Sequence, residues 1–419
     1  MVGIYLAYQP SLTPVAPEQI RRLTKNAAEA EPGLSVVEYT PVPHLYVRHI
    51  YRPITHASGA SVPSPNGRVE ILLHGEVYDS PALARYLGWE HPETLSIEDG
   101  PRLIAAGIER DGIDFVERLN GSFLLLAWFP QDKKLCIASD RCALRPHYYT
   151  WENGVFLMAP QVEALSRARQ QAPPPNPMGV VELLTFEHLL GNKTLCEGID
   201  VFPPASILEP GKSLREYWDF CFDESPATVN RDALREELQT RLATAVHRQL
   251  PASVPLGVPL SGGLDSRCLA GVAAHSIKNL PVFTFGNSRS LESKLAHQVA
   301  LALKADEHTV SPDTVSNWLA HFGLFCQATD GMVSVRHGHA GMLLDTLSSN
   351  CGVVLDGLTG GILFGGHMRS ETLNKPLPTP AKCWMARPAF GRDELRSQLA
   401  SDVLRNAMEN VEDGFQQRL

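Results

Sequence analysis

The segment PLSGGLDSR, Pro259 to Arg267, places a glycine-rich turn between an apolar strand and a helix. Gly262 and Gly263 carry no Cβ, so the backbone can turn tightly there and approach a ligand closely. The amides that open the next helix have no partner within it, and together with the helix dipole they favour an anion. The loop is therefore predicted to bind phosphate, although it lacks the lysine of a GxxxxGK[ST] loop and the GxGxxG spacing.

Asp265 lies inside this predicted anion site. A carboxylate repels phosphate unless a divalent cation lies between them, and carboxylate and phosphate oxygens are ordinary ligands of Mg²⁺. We therefore expect Asp265 to bind a metal, with the Ser261 and Ser266 hydroxyls as further hydrogen-bond donors to the ligand.

Strands and helices alternate along the second part of the chain. A helix capped by Asn230 is followed by a strand ending at Leu260, a helix after the loop, and a helix over Glu292–Leu303. Further strands are predicted at 282–285, 308–310 and 353–356. Such alternation is typical of an α/β doubly wound parallel sheet, which binds ligands at the carboxyl ends of its strands. The apolar stripe 234, 238, 242, 246 and 250 predicts that one face of the first helix is buried.

The first part of the chain, residues 1–168, has a different pattern. Short apolar runs at 69–73, 122–129, 134–139 and 155–159 are separated by turn residues, which predicts antiparallel sheets in an α+β domain. Helices are expected at 80–87, with Ser80 as the N-cap, and at 101–111. The proline-rich segment QAPPPNPMG, Gln171–Gly179, lies in a predicted linker and domain junction at 169–229, before a second domain at 230–419.

Composition excludes some classes of function. Of 419 residues, 44% are hydrophobic and 20% are charged, and the net charge of −9 comes without a long basic run, which argues against a nucleic-acid partner. We expect no signal peptide and no membrane span. The 8 cysteines form no CxxC pair, so we expect free thiols in the cytoplasm.

The loop LSGGLDS resembles the pyrophosphate loop of the PP-loop ATP pyrophosphatases, and most of all that of asparagine synthetase. Other segments resemble the same family in the same order: LLHGEVYDS, GIDFVERLNGSFLLLAWF, ASDRCALRPHYY, KTLCEGIDVFPPASILE and DGLTGGILFGGH. The resemblance covers nearly the whole chain. It implies a glutaminase-like αββα sandwich of the Ntn-hydrolase type, followed by the α/β nucleotide domain.

The resemblance also implies a ligand and roles for the residues of the loop. ATP would lie with its adenine near the backbone of Leu260 and Phe285, and Asp265 and Ser266 would be catalytic with Mg²⁺ on Asp265. The loop residues expected to contact ATP are Ser261, Gly262, Gly263, Leu264, Asp265 and Ser266, and Asp356 and Gly357 are expected to join them.

The chain departs from the glutaminase of the family. Family members use a cysteine directly after the initiator methionine as nucleophile, with its free α-amine as base. Here that position is Val2, and no cysteine precedes Cys136. His74 replaces an asparagine of the family's oxyanion hole, while Gly75 and Asp99 match positions that contact glutamine. We expect no glutaminase activity, and Glu76, Tyr78 and Arg118 are interpreted as structural.

The second signature, DGLTGGILFGGH from Asp356 to His367, also departs from the family. Its acidic positions hold Leu358, Gly361 and Ile362. Asp356, at a predicted strand end, is a replacement metal ligand or a turn cap, and Asp330 is another candidate carboxylate. His337 and His339 are interpreted as polar lining rather than zinc ligands. The family's lysine-bearing helices after this signature are expected to be missing, which would mean a fragment, a split gene or different chemistry.

These observations predict an AMP-forming ligase that uses Mg²⁺ and ATP to activate a small-molecule or peptide carboxylate for capture by an amine. The amine would be free ammonia, or an amine of the same substrate as in β-lactam synthetases and lasso-peptide cyclases. A non-catalytic nucleotide-binding or partner protein is the alternative from another class. Partners left open are a second copy in a homodimer and a separate carboxyl-terminal subunit.

Overall fold

The computed structural model describes residues 2–27, 33–53, 61–221, 230–251, 254–312, 318–357, 360, 403–404 and 407. The chain divides into two compact units. The first unit comprises Met1–Glu182 and Leu189–Glu224, and the second comprises Leu183–His188 and Ser225–Leu419. The segment predicted as a linker, 169–229, lies for the most part within the first unit.

The first unit is built largely from strands. They are β1 (Gly3–Tyr8), β2 (Ser35–Val42), β3 (Leu45–Tyr51), β4 (Val62–Pro63), β5 (Glu70–Tyr78), β6 (Asn120–Phe129), β7 (Lys134–Ser139), β8 (Tyr148–Glu152), β9 (Val155–Ala159), β10 (Asp200–Val201), β11 (Ser206–Leu208) and β12 (Arg215–Glu216). The α-helices are α1 (Pro17–Thr24), α2 (Ser80–Leu87), α3 (Gly100–Asp111), α4 (Val162–Ala168) and α5 (Pro177–Phe186), the last of which crosses the division. Short 3₁₀ helices cover Pro92–Thr94, Ile97–Asp99 and Ile113–Arg118.

These strands form two antiparallel six-stranded sheets, ordered β10-β8-β9-β1-β3-β2 and β12-β11-β7-β6-β5-β4. One hydrophobic core lies between the two sheets. A second core lies between the outer face of the β5–β6 sheet and helices α2 and α3. Helices α1 and α4 pack against each other and against β1 and β9. The unit is therefore an αββα sandwich, as predicted.

The two cores explain why β5 and β6 are apolar on both faces. Successive side chains of a strand point to opposite faces of its sheet. Leu72 accordingly packs in the core between the sheets, whereas Ile71 and Leu73 pack in the core under the helices. The adjacent strand repeats this division, with Leu124 in the first core and Leu125 in the second. A strand buried on both faces has a continuous apolar run instead of an alternating one.

The second unit contains a parallel sheet. Its strands are β13 (Leu256–Pro259), β14 (Pro281–Phe285), β15 (Asp306–Val310) and β16 (Val353–Val354), and its α-helices are α6 (Arg231–Arg248), α7 (Leu264–Ala274), α8 (Leu291–Leu303), α9 (Trp318–Ala328) and α10 (Leu344–Asn350). A 3₁₀ helix covers Val335–Leu343. The strand order is β15-β14-β13-β16, so the chain reverses its direction across the sheet between β13 and β16. Ligands of open parallel sheets bind at such a reversal point.

Side chains from one face of β13 form the core of this unit together with small residues of α7 and α8. Val258 is fully buried among Ala270, Ala273 and Ala296, and these small side chains let the helices approach the sheet closely. Helix α6 joins this core only through its second half. Its first leucines, Leu234 and Leu238, are 54% and 46% exposed, so the predicted buried stripe is wrong for that half of the helix.

Most predicted elements are present, with their ends shifted by a few residues. The cap at Asn230 is confirmed, since its side chain accepts hydrogen bonds from the backbone N–H groups of Asp232 and Ala233. The cap at Ser80 is wrong, because Ser80 is already helical and Asp79 precedes the helix with φ of +64°. The strand predicted at 69–73 extends to Tyr78, and that predicted at 353–356 ends at Val354.

In the part of the chain that the structure describes, no helix combines the length and the apolarity needed to cross a membrane. The cysteines in that part are all free thiols: Cys136, Cys142, Cys196, Cys221, Cys268, Cys326 and Cys351.

Candidate functional site

The loop between β13 and α7 turns through a left-handed glycine. Gly262 has φ of +73°, and a Cβ at this position would lie 2.5 Å from the backbone carbonyl oxygen of Glu292, in the first turn of α8. Both the conformation and the contact therefore require glycine. Gly263 has an ordinary φ of −69° and precedes α7, and no side chain within the described residues caps that helix. The first turn of α7 thus keeps amides available for an anion.

Two serine hydroxyls hold this loop together. The Ser266 side chain is buried, and its Oγ accepts a hydrogen bond from the Ser261 backbone N–H at 3.2 Å and lies 3.2 Å from the Ser261 Oγ. The Ser261 Oγ in turn accepts from the Gly263 backbone N–H at 3.4 Å. Ser261 itself is exposed, so its hydroxyl is open to a ligand. Ser266 shapes the loop from the protein side.

Asp265 lies against the segment that follows β16. A Cβ at Gly357 would lie 3.3 Å from the Asp265 Cβ, and a Cβ at Gly360 would lie 2.7 Å from the Asp265 carboxyl carbon. The sequence predicted that these two segments belong to one site, and the structure brings them together. Asp265 and Asp356 are both exposed. The backbone of this segment therefore approaches the Asp265 side chain so closely that a Cβ at Gly360 would force a shift.

Leu260 and Phe285 lie at the carboxyl ends of neighbouring strands. The Leu260 backbone N–H donates to the Phe283 carbonyl oxygen at 2.7 Å, and the Leu260 carbonyl oxygen accepts from the Thr284 hydroxyl at 2.9 Å. Leu260 is 1% exposed, and Phe285 is half-buried. Their backbones are thus fixed at the same sheet edge as the loop, where an adenine was predicted to bind.

Several predicted site residues are not brought into the loop site by the described part of the structure. Leu358, Gly361 and Ile362, and the side chain of His339, lie outside the described residues. Asp330 follows the carboxyl end of α9 with φ of +48°, and His337 is exposed. Among the described residues, no three His, Cys, Asp or Glu side chains are grouped to hold a metal ion.

The first unit contains a buried histidine cluster beside the start of the chain, formed by His49, His74 and His147. The His49 Nε2 lies 3.0 Å from the His74 Nδ1, and the His74 and His147 rings meet edge to face at 5.4 Å. The His147 Nε2 accepts a hydrogen bond from the Ile4 backbone N–H at 2.9 Å, so its Nδ1 carries the proton that is donated to the Arg145 carbonyl oxygen.

Two of these imidazoles, those of His74 and His147, have pKa values below the usual value of histidine. Burial, followed by the charges of His147, His49 and Arg145, holds the pKa of His74 well below its usual value. Burial also lowers the pKa of His147 to about 4. Val2 is half-buried and precedes Gly3, where a Cβ would lie 2.9 Å from the His147 Nε2. The beginning of β1 is thus packed against Pro160 and the His147 imidazole.

The two residues that match glutamine-contacting positions have structural roles in this chain. Gly75 has φ of +111°, and a Cβ there would lie 2.0 Å from the Ser122 carbonyl oxygen on the paired strand. The Asp99 carboxylate accepts from the Ser96 backbone N–H at 3.0 Å and completes a capping box. Tyr78 donates its hydroxyl to Glu76, and the Arg118 guanidinium lies 3.9 Å from the centre of the Tyr86 ring, in agreement with the structural interpretation.

Sequence reasoning missed His49, His147 and Arg267. The two histidines meet His74 only through long-range packing of β3, β5 and the segment before β8, which no sequence spacing reveals. Arg267, at the end of the loop, could have been identified from its spacing. It lies one turn after Gly263, and its side chain returns to that residue.

Comparison with known proteins agrees with the two units. Residues 53–218 match the glutamine amidotransferase domain family, and residues 237–418 match the asparagine synthase family. Asparagine synthetase 3 (glutamine-hydrolyzing) of Bacillus subtilis is 27% identical over 208 residues, which cover 49% of this chain and 33% of that protein. Amidase chry2 of Gibberella zeae is 27% identical over 274 residues, covering 59% of this chain and 39% of the amidase. The chain spans less than half the length of these relatives.

Among solved structures, glutamine phosphoribosylpyrophosphate amidotransferase from B. subtilis, complexed with ADP and GMP, matches with a TM-score of 0.32 and 11% identity over 67% of this chain and 64% of that one. A TM-score this low does not establish a shared fold. The fold assignment depends instead on the sheets of the two units and on the family matches. The two family matches follow each other without overlap and together cover most of the residues. The chain is a divergent member of the asparagine synthetase family, with an Ntn-hydrolase-like αββα domain followed by a parallel-sheet PP-loop domain.

Proposed function

We propose that the second unit binds Mg²⁺ and ATP and activates a carboxylate as its adenylate, which an amine then captures to form an amide. The observation that supports this most is the meeting of the Ser261–Ser266 loop and the Gly357–Gly360 segment at the reversal point of the sheet. Free amides, an exposed carboxylate and close-approach glycines occur together there, and this combination suits a metal-bound polyphosphate.

Each residue of the loop has a distinct role in this proposal. The amides after Gly262 and the Ser261 hydroxyl bind the β and γ phosphates, while Asp265 holds the cation that neutralises them. Ser266 keeps Ser261 in place through their 3.2 Å contacts. Charge develops on the pyrophosphate as it leaves, and donors already fixed in position stabilise that charge without further reorganisation. The backbones of Leu260 and Phe285 receive the adenine.

The nitrogen comes from a source other than glutamine hydrolysed by this chain. Val2 offers no nucleophilic atom, and His74 fills the position of the family's oxyanion-hole asparagine with an imidazole bonded to His49. Ammonia or an amine of the substrate would then attack the activated carboxylate.

A direct test separates AMP-forming chemistry from other uses of ATP. The 419-residue chain is incubated with Mg²⁺, ATP, ammonium and a panel of amino-acid and short-peptide carboxylates, and the nucleotide products are resolved by chromatography. AMP and pyrophosphate in equal amounts are expected with at least one carboxylate. Formation of ADP and phosphate would contradict the proposal.

The metal assignment has its own test in Asp265→Ala. Isothermal calorimetry should show binding of Mg²⁺ and ATP weakened at least about tenfold, or about 1.4 kcal/mol, because the cation loses its protein carboxylate. Asp232→Ala serves as the control, since Asp232 is an exposed acid in the first turn of α6. Equal affinity of the parent and Asp265→Ala would remove Asp265 as the metal ligand.

Two further functions follow from specific observations. The similarity to a protein named amidase chry2 fits a reaction at an amide bond, and the predicted amine capture includes closure of an amide within one substrate. The acidic positions occupied by Leu358, Gly361 and Ile362 favour a non-catalytic nucleotide-binding protein. In that second case Mg²⁺ and ATP bind, but no carboxylate of the panel yields AMP. Association with a second copy in a homodimer, or with a separate carboxyl-terminal subunit, is a further proposal that size-exclusion chromatography with light scattering would test.

A further inference from the structure

Arg267 is folded back onto the phosphate loop. It is the fourth residue of α7, and helical side chains point toward the amino terminus of their helix. Its Nε donates a hydrogen bond to the Gly263 carbonyl oxygen at 3.2 Å. The same oxygen accepts from the Arg267 backbone N–H at 3.3 Å and from the Ser266 hydroxyl at 3.3 Å. The guanidinium is therefore fixed at the mouth of the loop.

This carbonyl sets the direction of the peptide that opens the helix. The C=O and N–H of a trans peptide point in opposite directions. Because three donors hold the Gly263 oxygen on the helix side, the Leu264 N–H faces away from the helix, toward the space where the phosphates were assigned. Arg267 thus helps to aim an amide at the ligand, in addition to bringing its own charge.

The positive charge of Arg267 is electrostatically unfavourable at this position in the ligand-free protein. A cation near the positive end of a helix dipole is unfavourable, and an anion at the same place removes the penalty. Within the described part of the chain, no carboxylate forms an ion pair with Arg267. Asp265 precedes it by two positions, roughly 200° around the helix, so the metal ligand and the guanidinium lie on different faces of α7.

We propose that Arg267 is a second source of positive charge for the pyrophosphate portion of ATP, opposite the cation on Asp265. This inference rests on the proposed function and extends it. The second signature offers Gly361 where the family has a metal-binding carboxylate, so cation-based neutralisation of the leaving group is weaker. A guanidinium that donates several hydrogen bonds to phosphate replaces part of that neutralisation.

The test compares three ligands on matched variants of the 419-residue chain. Arg267→Gln keeps a side-chain N–H for the Gly263 carbonyl but removes the charge, and Arg267→Lys keeps the charge but loses the forked donor. Lys278→Gln is the control, since it removes one exposed positive charge beyond the opposite end of α7. Calorimetry measures the affinity for Mg²⁺ with ATP, for Mg²⁺ with inorganic pyrophosphate, and for AMP.

Arg267→Gln should weaken ATP and pyrophosphate binding at least about tenfold and AMP binding less than about threefold, while Arg267→Lys lies between it and the parent. The thermal midpoint of ligand-free Arg267→Gln should not fall, because an unfavourable charge has been removed. A structural role predicts the reverse, with a lower midpoint or a failure to fold and equal losses for all three ligands, and either result overturns the proposal. Unchanged pyrophosphate affinity in Arg267→Gln overturns it as well and leaves the proposed function intact. A parent chain that binds none of the ligands overturns both.

Discussion

Replacing Gly262 with alanine should damage the phosphate loop more than any other single methyl group added to it. The residue has φ of +73°, and holding a non-glycine residue in the left-handed region costs about 1–2 kcal/mol. The new Cβ would also lie 2.5 Å from the Glu292 carbonyl oxygen, which belongs to backbone and cannot rotate away. Forced overlap of this kind costs about 1–3 kcal/mol. The two costs together predict a local loss of at least about 2 kcal/mol, because the loop must move away from α8.

Gly263→Ala is the matched control, one residue along the same loop. Its φ of −69° is open to alanine, and its Cβ would lie 3.3 Å from the Ser261 Oγ, the movable end of a side chain. The expected change is below about 1 kcal/mol, since alanine also lowers the entropy of the unfolded chain.

Hydrogen–deuterium exchange of peptides from α7 and α8 reports on this unit by itself, and calorimetry with Mg²⁺ and ATP reports on the site. Gly262→Ala should raise exchange in both helices and weaken binding at least about tenfold, while Gly263→Ala changes exchange little. Equal behaviour of the two variants would refute the argument that the Glu292 carbonyl determines the glycine.

Further predictions concern the first unit. Val2→Cys should release no glutamate from glutamine, because His74 still fills the oxyanion position; turnover in this variant would show that the imidazole is no obstacle. The stability of the unit should fall as the pH drops from about 6.5 toward about 4, since His147 takes up a proton when unfolded but stays neutral when folded. A single histidine with this pKa accounts for a change on the order of 3 kcal/mol in urea titrations. His74→Asn should reduce this pH dependence, whereas the exposed His91→Gln should not; an unchanged slope in His74→Asn would contradict the role given to the cluster.

The turn between β13 and α7 could be predicted from the sequence because its determinants are local. A glycine pair between an apolar strand and a helix defines the turn, and the strand order places the loop at a sheet edge. The reason that Gly262 must be glycine was not accessible, because the Glu292 carbonyl comes from the next βα unit. The cap at Ser80 failed for a local reason, since the chain enters α2 through Asp79 in a left-handed conformation that no residue type marks clearly.

The histidine cluster was beyond sequence reasoning altogether. His49, His74 and His147 are far apart in the chain, and only the pairing of the strands brings their rings together. The sequence identifies His74 as a departure from the oxyanion hole of the family, but it does not reveal what surrounds the side chain. The structure shows that the position is occupied by a hydrogen-bonded, buried imidazole.

The residues that resemble the family's sites are packed differently in the two units. In the first unit the positions that resemble the family's glutamine site are needed for folding. Gly75 is required because any Cβ would strike the Ser122 carbonyl oxygen at 2.0 Å, and Asp99 caps a helix. Their presence therefore says nothing about catalysis.

The loop of the second unit is different, because several of its residues are exposed and packing therefore constrains their identity only weakly. Leu264 is 71% exposed, and Ser261 and Asp265 are open to solvent. An acid in the first turn of a helix contributes about 0.3–1 kcal/mol through the dipole, and glutamate would contribute as much. Folding thus accounts for an acidic residue at position 265 but not for a short carboxylate facing Gly357 and Gly360. The proposed cation and phosphate would account for both, and that is the physical reason for proposing the ligand site at the end of β13.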